Sequence, residues 1–202
     1  MISRRLLLIS AAILAATVPS LPARAGDPPA GVIGKFYNTL LAAMKDGPKL
    51  GFKGRYDKLA PTVRQSFDLP LMTRLMVGPQ WAGIPAEQQQ QIVAAFAEFS
   101  IATYASRFDE FSGEKFEVDA NPTPSNSGVI VRSKLIKSDG EPVQLDYLMR
   151  ESAAGWQIVD VFLSGTVSEL ATRRSEFSSV MRRGGAEALV DALQKKVAQL
   201  RS

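Results

Sequence analysis

The chain has 202 residues, with 24 Lys and Arg against 20 Asp and Glu, and it contains neither cysteine nor histidine. Without these two residue types, disulfides, thiolate nucleophiles, Ser-His-Asp triads, zinc fingers and His-ligated haem are excluded. Its 46% hydrophobic and 22% charged residues are typical of a folded globular protein, and its length fits one domain with a sizeable core.

The first 25 residues have the order of a secretory signal peptide. Arg4 and Arg5 precede an apolar run over 6–18, and a small-residue Ala-Arg-Ala pattern stands at 23–25. The apolar run is too short to cross a hydrocarbon core of about 30 Å, which disfavours a membrane anchor. We therefore predict cleavage after Ala25 and a mature domain over 26–202.

Removal of this segment changes the charge of the protein. Residues 1–25 carry three of the 24 basic side chains and no acidic one, so the mature chain has 21 basic and 20 acidic side chains. Nucleic-acid binding needs a clustered basic surface. The near balance of charge therefore argues against nucleic acid as a partner.

The first part of the mature chain has helical spacing of its apolar residues. One helix is predicted over 32–44, and the Asp-Gly-Pro sequence at 46–48 ends it. A second apolar stripe runs over 56–67, with Pro61 starting or kinking its second part. A short helix, capped by Asp-Leu-Pro at its start and by glycine at its end, is predicted over 68–78.

A long helix is predicted from Pro85 to Phe108, with proline near its first turn. This helix carries two apolar stripes. They consist of Ile92, Phe96 and Phe99, and of Val93, Ala97, Ile101, Tyr104 and Phe108. A helix that is apolar on two sides either lies between two layers or lines an internal cavity, and both readings stay open here.

Strand signals follow, and helices return at the end of the chain. Alternating apolar and polar residues separated by turn sequences predict strands over 115–120, 129–136, 143–150 and 156–163. From Val167 the spacing is helical again, and Gly184-Gly185 separates two helical segments. Hairpin-linked strands between helices predict one α+β domain with a curved antiparallel sheet.

Motifs for chemistry are scarce in this sequence. It contains no P-loop, dinucleotide-binding glycine pattern or metal-ligand cluster. Asp146 and Asp160 lie within predicted strands, where they either form a carboxylate pair for acid–base chemistry or pair with an arginine such as Arg174. The C-terminal helices are basic, which indicates either a solvated face or contact with anionic headgroups or an acidic partner. Their basic residues are Arg173, Arg174, Arg182, Arg183, Lys195, Lys196 and Arg201.

Large aromatic residues and methionines recur in several predicted elements. Examples are Met72 and Met76 in the short helix, Phe96 and Phe99 in the long helix, and Met149 in a strand. They either fill a core or line an apolar cavity beside the curved sheet. Methionine side chains suit such a cavity because they adapt to ligands of variable shape.

Two groups of motifs stand out along the mature chain. The first is the sequence FDLPLM at 67–72, followed by GPQW at 78–81 and Glu87-Gln88; the second is WQIVDV at 156–161, followed by RSEF at 174–177. Together they resemble the toluene-tolerance/MlaC family of periplasmic lipid-binding proteins. The resemblance covers nearly the whole mature chain, from Val32 to Leu200. Residues 166–172 are more similar to the hopanoid-biosynthesis-associated branch, HpnM, than to the phospholipid carriers.

The resemblance implies an NTF2-like fold, in which helices wrap a curved antiparallel sheet around an apolar lipid pocket. It also implies a periplasmic carrier that holds the acyl chains of a phospholipid or hopanoid and takes lipid between inner- and outer-membrane complexes of an Mla-type ABC transport system. We expect a monomer without cofactor, metal site or catalytic residue. The alternatives are an enzyme that uses Asp146 or Asp160 in the same cavity and an envelope adaptor protein.

Pocket residues are predicted from side-chain size, from the face on which each residue lies and from the family's mode of binding. The predicted lining is Phe36, Leu40, Met72, Leu75, Met76, Phe96, Phe99, Tyr147, Met149, Val161 and Leu163.

Overall fold

The computed structural model describes residues 27–201, so the predicted signal peptide over 1–25 lies outside the described residues. The helices are α1 (Pro29–Lys45), α2 (Gly47–Ser66), α3 (Leu69–Val77), α4 (Ala86–Arg107) and α5 (Glu169–Leu200), with a 3-10 turn over Gly78–Gly83. The strands are β1 (Lys115–Val118), β2 (Thr123–Ser125), β3 (Gly128–Val131), β4 (Ser133–Ile136), β5 (Pro142–Ser152), β6 (Gly155–Leu163) and β7 (Val167–Ser168). None of the helices over 27–201 combines the length and hydrophobicity that a membrane span requires.

Helix α3 is bounded by the two residues that the sequence indicated. The Asp68 side chain accepts a hydrogen bond from the backbone N–H of Leu71 at 3.0 Å and so caps the first turn. Gly78 follows the last turn with φ of 76°, a conformation that glycine adopts without steric cost. These two local signals fix the helix that carries Met72 and Leu75.

The break in α2 lies at a different residue from the one predicted. Pro61 stands inside the continuing helix, whereas Gly51 has φ of 59° and ψ of −176° and interrupts it. The expectation that Pro61 starts or kinks the second part was therefore wrong. Gly51 takes this backbone conformation because it has no Cβ to clash. In α5 the corresponding break is at Gly185, with φ of 65°, which confirms the predicted division at Gly184-Gly185.

The strands form one antiparallel sheet around the long strand β5. Along one edge of β5, β4 pairs with its first residues and β3 with its later ones, while β6 pairs along the other edge. The prediction of a single strand over 129–136 was wrong. The strand is interrupted at Arg132, and the two parts have different outer neighbours: β3 pairs with β2, and β4 pairs with β1. Val167 belongs to the short strand β7, and the helix predicted to start there begins at Glu169. Helices packed against an antiparallel sheet confirm the predicted α+β class.

The core lies between the sheet and the helices, and its aromatic residues interlock. The ring of Phe36 packs edge-on against Phe67 and Tyr104, with centroid distances of 5.3 and 5.1 Å. Tyr37 stacks on Phe116 at 4.0 Å, which joins α1 to the sheet. These contacts close one end of the space between α4 and the sheet.

Candidate functional site

An apolar cavity of about 140 Å³ lies between α4, the first turns of α5 and strands β5 and β6. Most of the side chains around it are apolar or aromatic, and three are charged. The lining consists of Phe67, Met72, Phe96, Phe99, Ser100, Thr103, Tyr104, Arg107, Phe108, Leu145, Tyr147, Val161, Leu163, Glu169, Leu170 and Arg173.

The sheet side of the cavity is built from two cross-strand pairs. Leu145 of β5 stands opposite Leu163 of β6, and Tyr147 stands opposite Val161. Residues two apart on a strand share a face, so both pairs reach the cavity. The register shifts by one residue beyond Leu148, and the first pair after that shift, Met149 and Ile158, lies in the closed core.

Helix α4 forms the opposite side, and its hydroxyl groups at Ser100 and Thr103 are hydrogen-bonded within the helix. The Ser100 hydroxyl donates to the carbonyl of Phe96, and the Thr103 hydroxyl donates to the carbonyl of Phe99, each at 2.8 Å. Both donors are therefore satisfied within the helix. Beside them, burial raises the pKa of the Tyr104 phenol, which keeps it uncharged.

The charged side chains stand together where the last turn of α4 meets the first turns of α5. Arg173 donates to the carboxylates of Glu169 at 3.2 Å and Glu176 at 2.9 Å, and its guanidinium lies 5.0 Å from the centre of the Phe99 ring. Arg107 lies 4.0 Å from Glu169, and 52% of its side chain is exposed. The charged groups of the lining therefore form one cluster, the charged end of the cavity, which solvent reaches at Arg107.

The carboxylate of Glu176 is held in its charged form by two cations. Partial burial by itself raises the pKa of Glu176, but hydrogen bonds from Lys196 and Arg173 outweigh it and lower the pKa overall. Lys196 approaches the second oxygen of the same carboxylate at 2.7 Å. Arg173 is thus anchored by Glu176, which lies outside the cavity lining. The sequence predicted Arg173 only as part of a basic helix face.

Six of the eleven residues predicted for the pocket line this cavity. They are Met72, Phe96, Phe99, Tyr147, Val161 and Leu163. Four others lie in the closed core and are each at most 2% exposed, namely Phe36, Leu40, Met76 and Met149. Phe36 stands one layer behind the lining, in contact with Tyr104. Leu75 is on the surface of α3 with 43% of its area exposed.

Ten lining residues were not predicted. Leu145 shares a face with Tyr147, and Tyr104 and Phe108 belong to a recognised stripe of α4, so the periodic pattern was enough to find these three. The others depend on which elements meet in the fold. They are Phe67, Ser100, Thr103, Arg107, Glu169, Leu170 and Arg173.

Asp160 has a structural role rather than the predicted ion pair with Arg174. Its carboxylate accepts hydrogen bonds from the backbone N–H of Val161 at 2.8 Å, the hydroxyl of Ser168 at 2.6 Å and the backbone N–H of Leu170 at 3.1 Å. Arg174 is exposed and lies beside Gly78 instead. The expected pair was therefore wrong, because Asp160 is fully engaged in joining β6 to the start of α5.

Neither of the two strand carboxylates reaches the cavity. One oxygen of Asp146 accepts from the side-chain amide of Gln144 at 2.9 Å, and its buried Oδ1 has no partner among residues 27–201. Asp160 is likewise absent from the lining. Within the same range, no three acidic residues cluster in a way that would hold a metal ion.

Comparison with known proteins identifies a matching family and related solved structures. The sequence profile of the MlaC protein family matches residues 35–195. A phospholipid-binding protein from Ralstonia solanacearum, solved in complex with a phospholipid, superimposes with a TM-score of 0.75 and 27% sequence identity, over 87% of this chain and 100% of that one. No curated protein matches the sequence. The profile spans every residue that lines the cavity.

Proposed function

The chain belongs to the MlaC family, and from this premise we propose that it is a periplasmic lipid carrier. Its cavity takes up the acyl chains of a lipid and leaves the headgroup at the charged end. The signal peptide over 1–25 directs the protein to the periplasm, where it carries lipid between inner-membrane ABC transporter and outer-membrane complexes. It acts as a monomer and carries out no covalent chemistry.

The observation that supports this proposal is the uneven distribution of apolar and charged side chains around the cavity. The charged groups Arg107, Glu169 and Arg173 form one cluster, and most of the remaining lining is aromatic or aliphatic. An amphipathic lipid has the same distribution of apolar and polar parts. Each buried methylene contributes about 0.8 kcal/mol, so acyl chains alone provide enough free energy for tight binding.

The relative of known structure supports the lipid class. The Ralstonia protein is described as phospholipid-binding and was solved with a phospholipid bound. Its similarity to this chain extends over the elements around the cavity. A hopanoid remains the alternative ligand, because residues 166–172 resemble the hopanoid-associated branch.

Carriage of a whole lipid requires the cavity to enlarge. A volume near 140 Å³ is the size that holds one benzene-like molecule, which is far smaller than two acyl chains. Met72 on the cavity wall is flexible enough to move aside for such a change. We expect enlargement at the charged end, because the other end is closed by the interlocked rings of Phe36, Phe67 and Tyr104.

The enzyme alternative has less support. Asp146 and Asp160 do not line the cavity, and Asp160 has its oxygens occupied by three donors. A general base has to reach its substrate directly or through one water. The separation of both carboxylates from the cavity therefore favours binding over catalysis.

Lipid carriage is tested by purifying the protein from the periplasm under gentle conditions. Native mass spectrometry should show a monomer with added mass, and organic extraction should yield the lipid for identification. Protein that is empty after expression, and that also takes up no lipid from vesicles, would contradict the proposal.

A further inference from the structure

The charged end of the cavity contains one cation that its neighbours neutralise only in part. Arg107 ends α4, lines the cavity and has 52% of its side chain exposed to solvent. Its guanidinium lies 4.0 Å from Glu169, which is beyond hydrogen-bond distance. Among residues 27–201 no other acidic side chain pairs with Arg107.

Glu169 is also shared with a second cation that holds it more closely. Arg173 donates to Glu169 at 3.2 Å and to Glu176 at 2.9 Å, and its guanidinium lies over the ring of Phe99. Only 18% of the Arg173 side chain is exposed. Arg173 is therefore fixed and neutralised by two carboxylates, whereas Arg107 has one distant partner.

The remaining polar groups near this end are already engaged. The backbone N–H groups at the start of α5 donate to side chains, that of Leu170 to Asp160 and that of Ala171 to Ser168. The linked cluster has three cations, Arg107, Arg173 and Lys196, against the two carboxylates of Glu169 and Glu176, which leaves one positive charge in excess. A negative group arriving with a lipid would therefore meet Arg107 as its available donor.

From this arrangement we infer that Arg107 binds the anionic headgroup of the carried lipid and makes the cavity prefer anionic over uncharged lipids. The inference rests on the proposed function and names its substrate class, a lipid whose acyl chains adjoin a phosphate or carboxylate. Arginine suits this role because its planar guanidinium donates two parallel hydrogen bonds to such groups. Uncharged hopanoids lack the group that Arg107 would bind.

The preference is measured as a ratio of two lipids with the same acyl chains. Lipid-free mature protein is incubated with phosphatidylcholine vesicles that contain equal amounts of dioleoylphosphatidylglycerol and diolein. The protein is then separated, and the bound lipids are quantified by mass spectrometry. Because a ratio is measured, a variant with less folded protein still gives a valid value.

The variants are chosen to move this ratio in opposite directions. Arg107→Gln should lower the ratio of phosphatidylglycerol to diolein roughly three- to tenfold, and Arg107→Lys should retain most of it. Glu169→Gln should raise the ratio, because it removes the carboxylate that competes with the headgroup. Arg183→Gln is the matched control, since Arg183 is exposed on α5, outside the cavity lining.

The outcomes separate this inference from the proposed function. Equal ratios in the wild type and Arg107→Gln, with both lipids bound, would overturn the role of Arg107 and leave lipid carriage intact. Uptake of neither lipid by the wild type would overturn both. A second experiment uses oleate in place of phosphatidylglycerol. If enrichment of oleate also depends on Arg107, the preference is for anions in general; if it does not, the preference is for phosphate.

Discussion

Replacement of Met72 by tryptophan should block lipid uptake by filling the cavity. Met72 lies on α3, is 8% exposed and lines the cavity. Tryptophan is larger by about six heavy atoms, which occupy the space of about six methylene groups of an acyl chain. At about 0.8 kcal/mol for each methylene, the upper limit of the loss is about 5 kcal/mol.

Adjustment of the cavity reduces this figure, so we expect binding to weaken by about 2–4 kcal/mol, or roughly 30- to 1,000-fold. Affinity is measured by titration with a fluorescent phospholipid, and retained lipid by native mass spectrometry. Leu75→Trp is the control, because Leu75 lies on the same helix with 43% of its area exposed. It should bind lipid as the wild type does.

A folded Met72→Trp variant that retains the wild-type lipid content would refute the assignment of this cavity as the lipid site. Overpacking costs about 1–3 kcal/mol of stability, so thermal unfolding has to be measured on the same samples. If the tryptophan variant fails to fold, Met72→Phe adds about half as many atoms. It should then weaken binding about tenfold.

Two further predictions concern stability. Asp160→Ala should lower the free energy of unfolding by about 3–5 kcal/mol, because two buried backbone donors lose their acceptor, whereas Asp160→Asn should lose about 1 kcal/mol. Urea denaturation measures both, and an alanine variant as stable as the wild type would contradict the structural role. Burial raises the pKa of Tyr37 from 10.0 to about 12. Between these two pKa values the folded state keeps the phenol protonated, whereas the unfolded state ionises. The free energy of unfolding is therefore unaffected by this group below pH 10 and falls by up to about 3 kcal/mol as the pH rises to 12. Tyr37→Phe should show a shallower loss in alkaline urea titrations, and identical pH profiles would contradict this.

The helix boundaries were predicted well where one residue determines them. Asp68 and Gly78 act through their own side chain or backbone, so their effect is visible in the sequence. The break at Arg132 was missed because the apolar alternation continues through it. What separates β3 from β4 is their different outer neighbours, β2 and β1, and these are set by tertiary structure.

The apolar wall of the cavity was only partly predictable, because a cavity and a core have the same composition. Tyr147, Val161 and Leu163 were found from strand alternation. Met149 follows the same alternation, but beyond the register shift it pairs with Ile158 in the closed core. Periodicity identifies the inward face of a strand, and it does not show where the opposite layer leaves space.

The charged end could not be predicted from the sequence, although it bears most directly on which lipid we expect the cavity to bind. Arg107 ends one helix and Arg173 lies in the second turn of another, and the two come together only because α4 and α5 pack side by side. Seen in its own helix, Arg173 looks like a solvated residue of a basic face, yet its guanidinium covers the Phe99 ring. Acyl chains give binding energy without discrimination between headgroups, so selectivity has to come from the few polar groups at the opening. In this protein those groups come from the end of α4 and the start of α5, which lie side by side. Among them, Arg107 is the cation whose guanidinium is available to bind an anion.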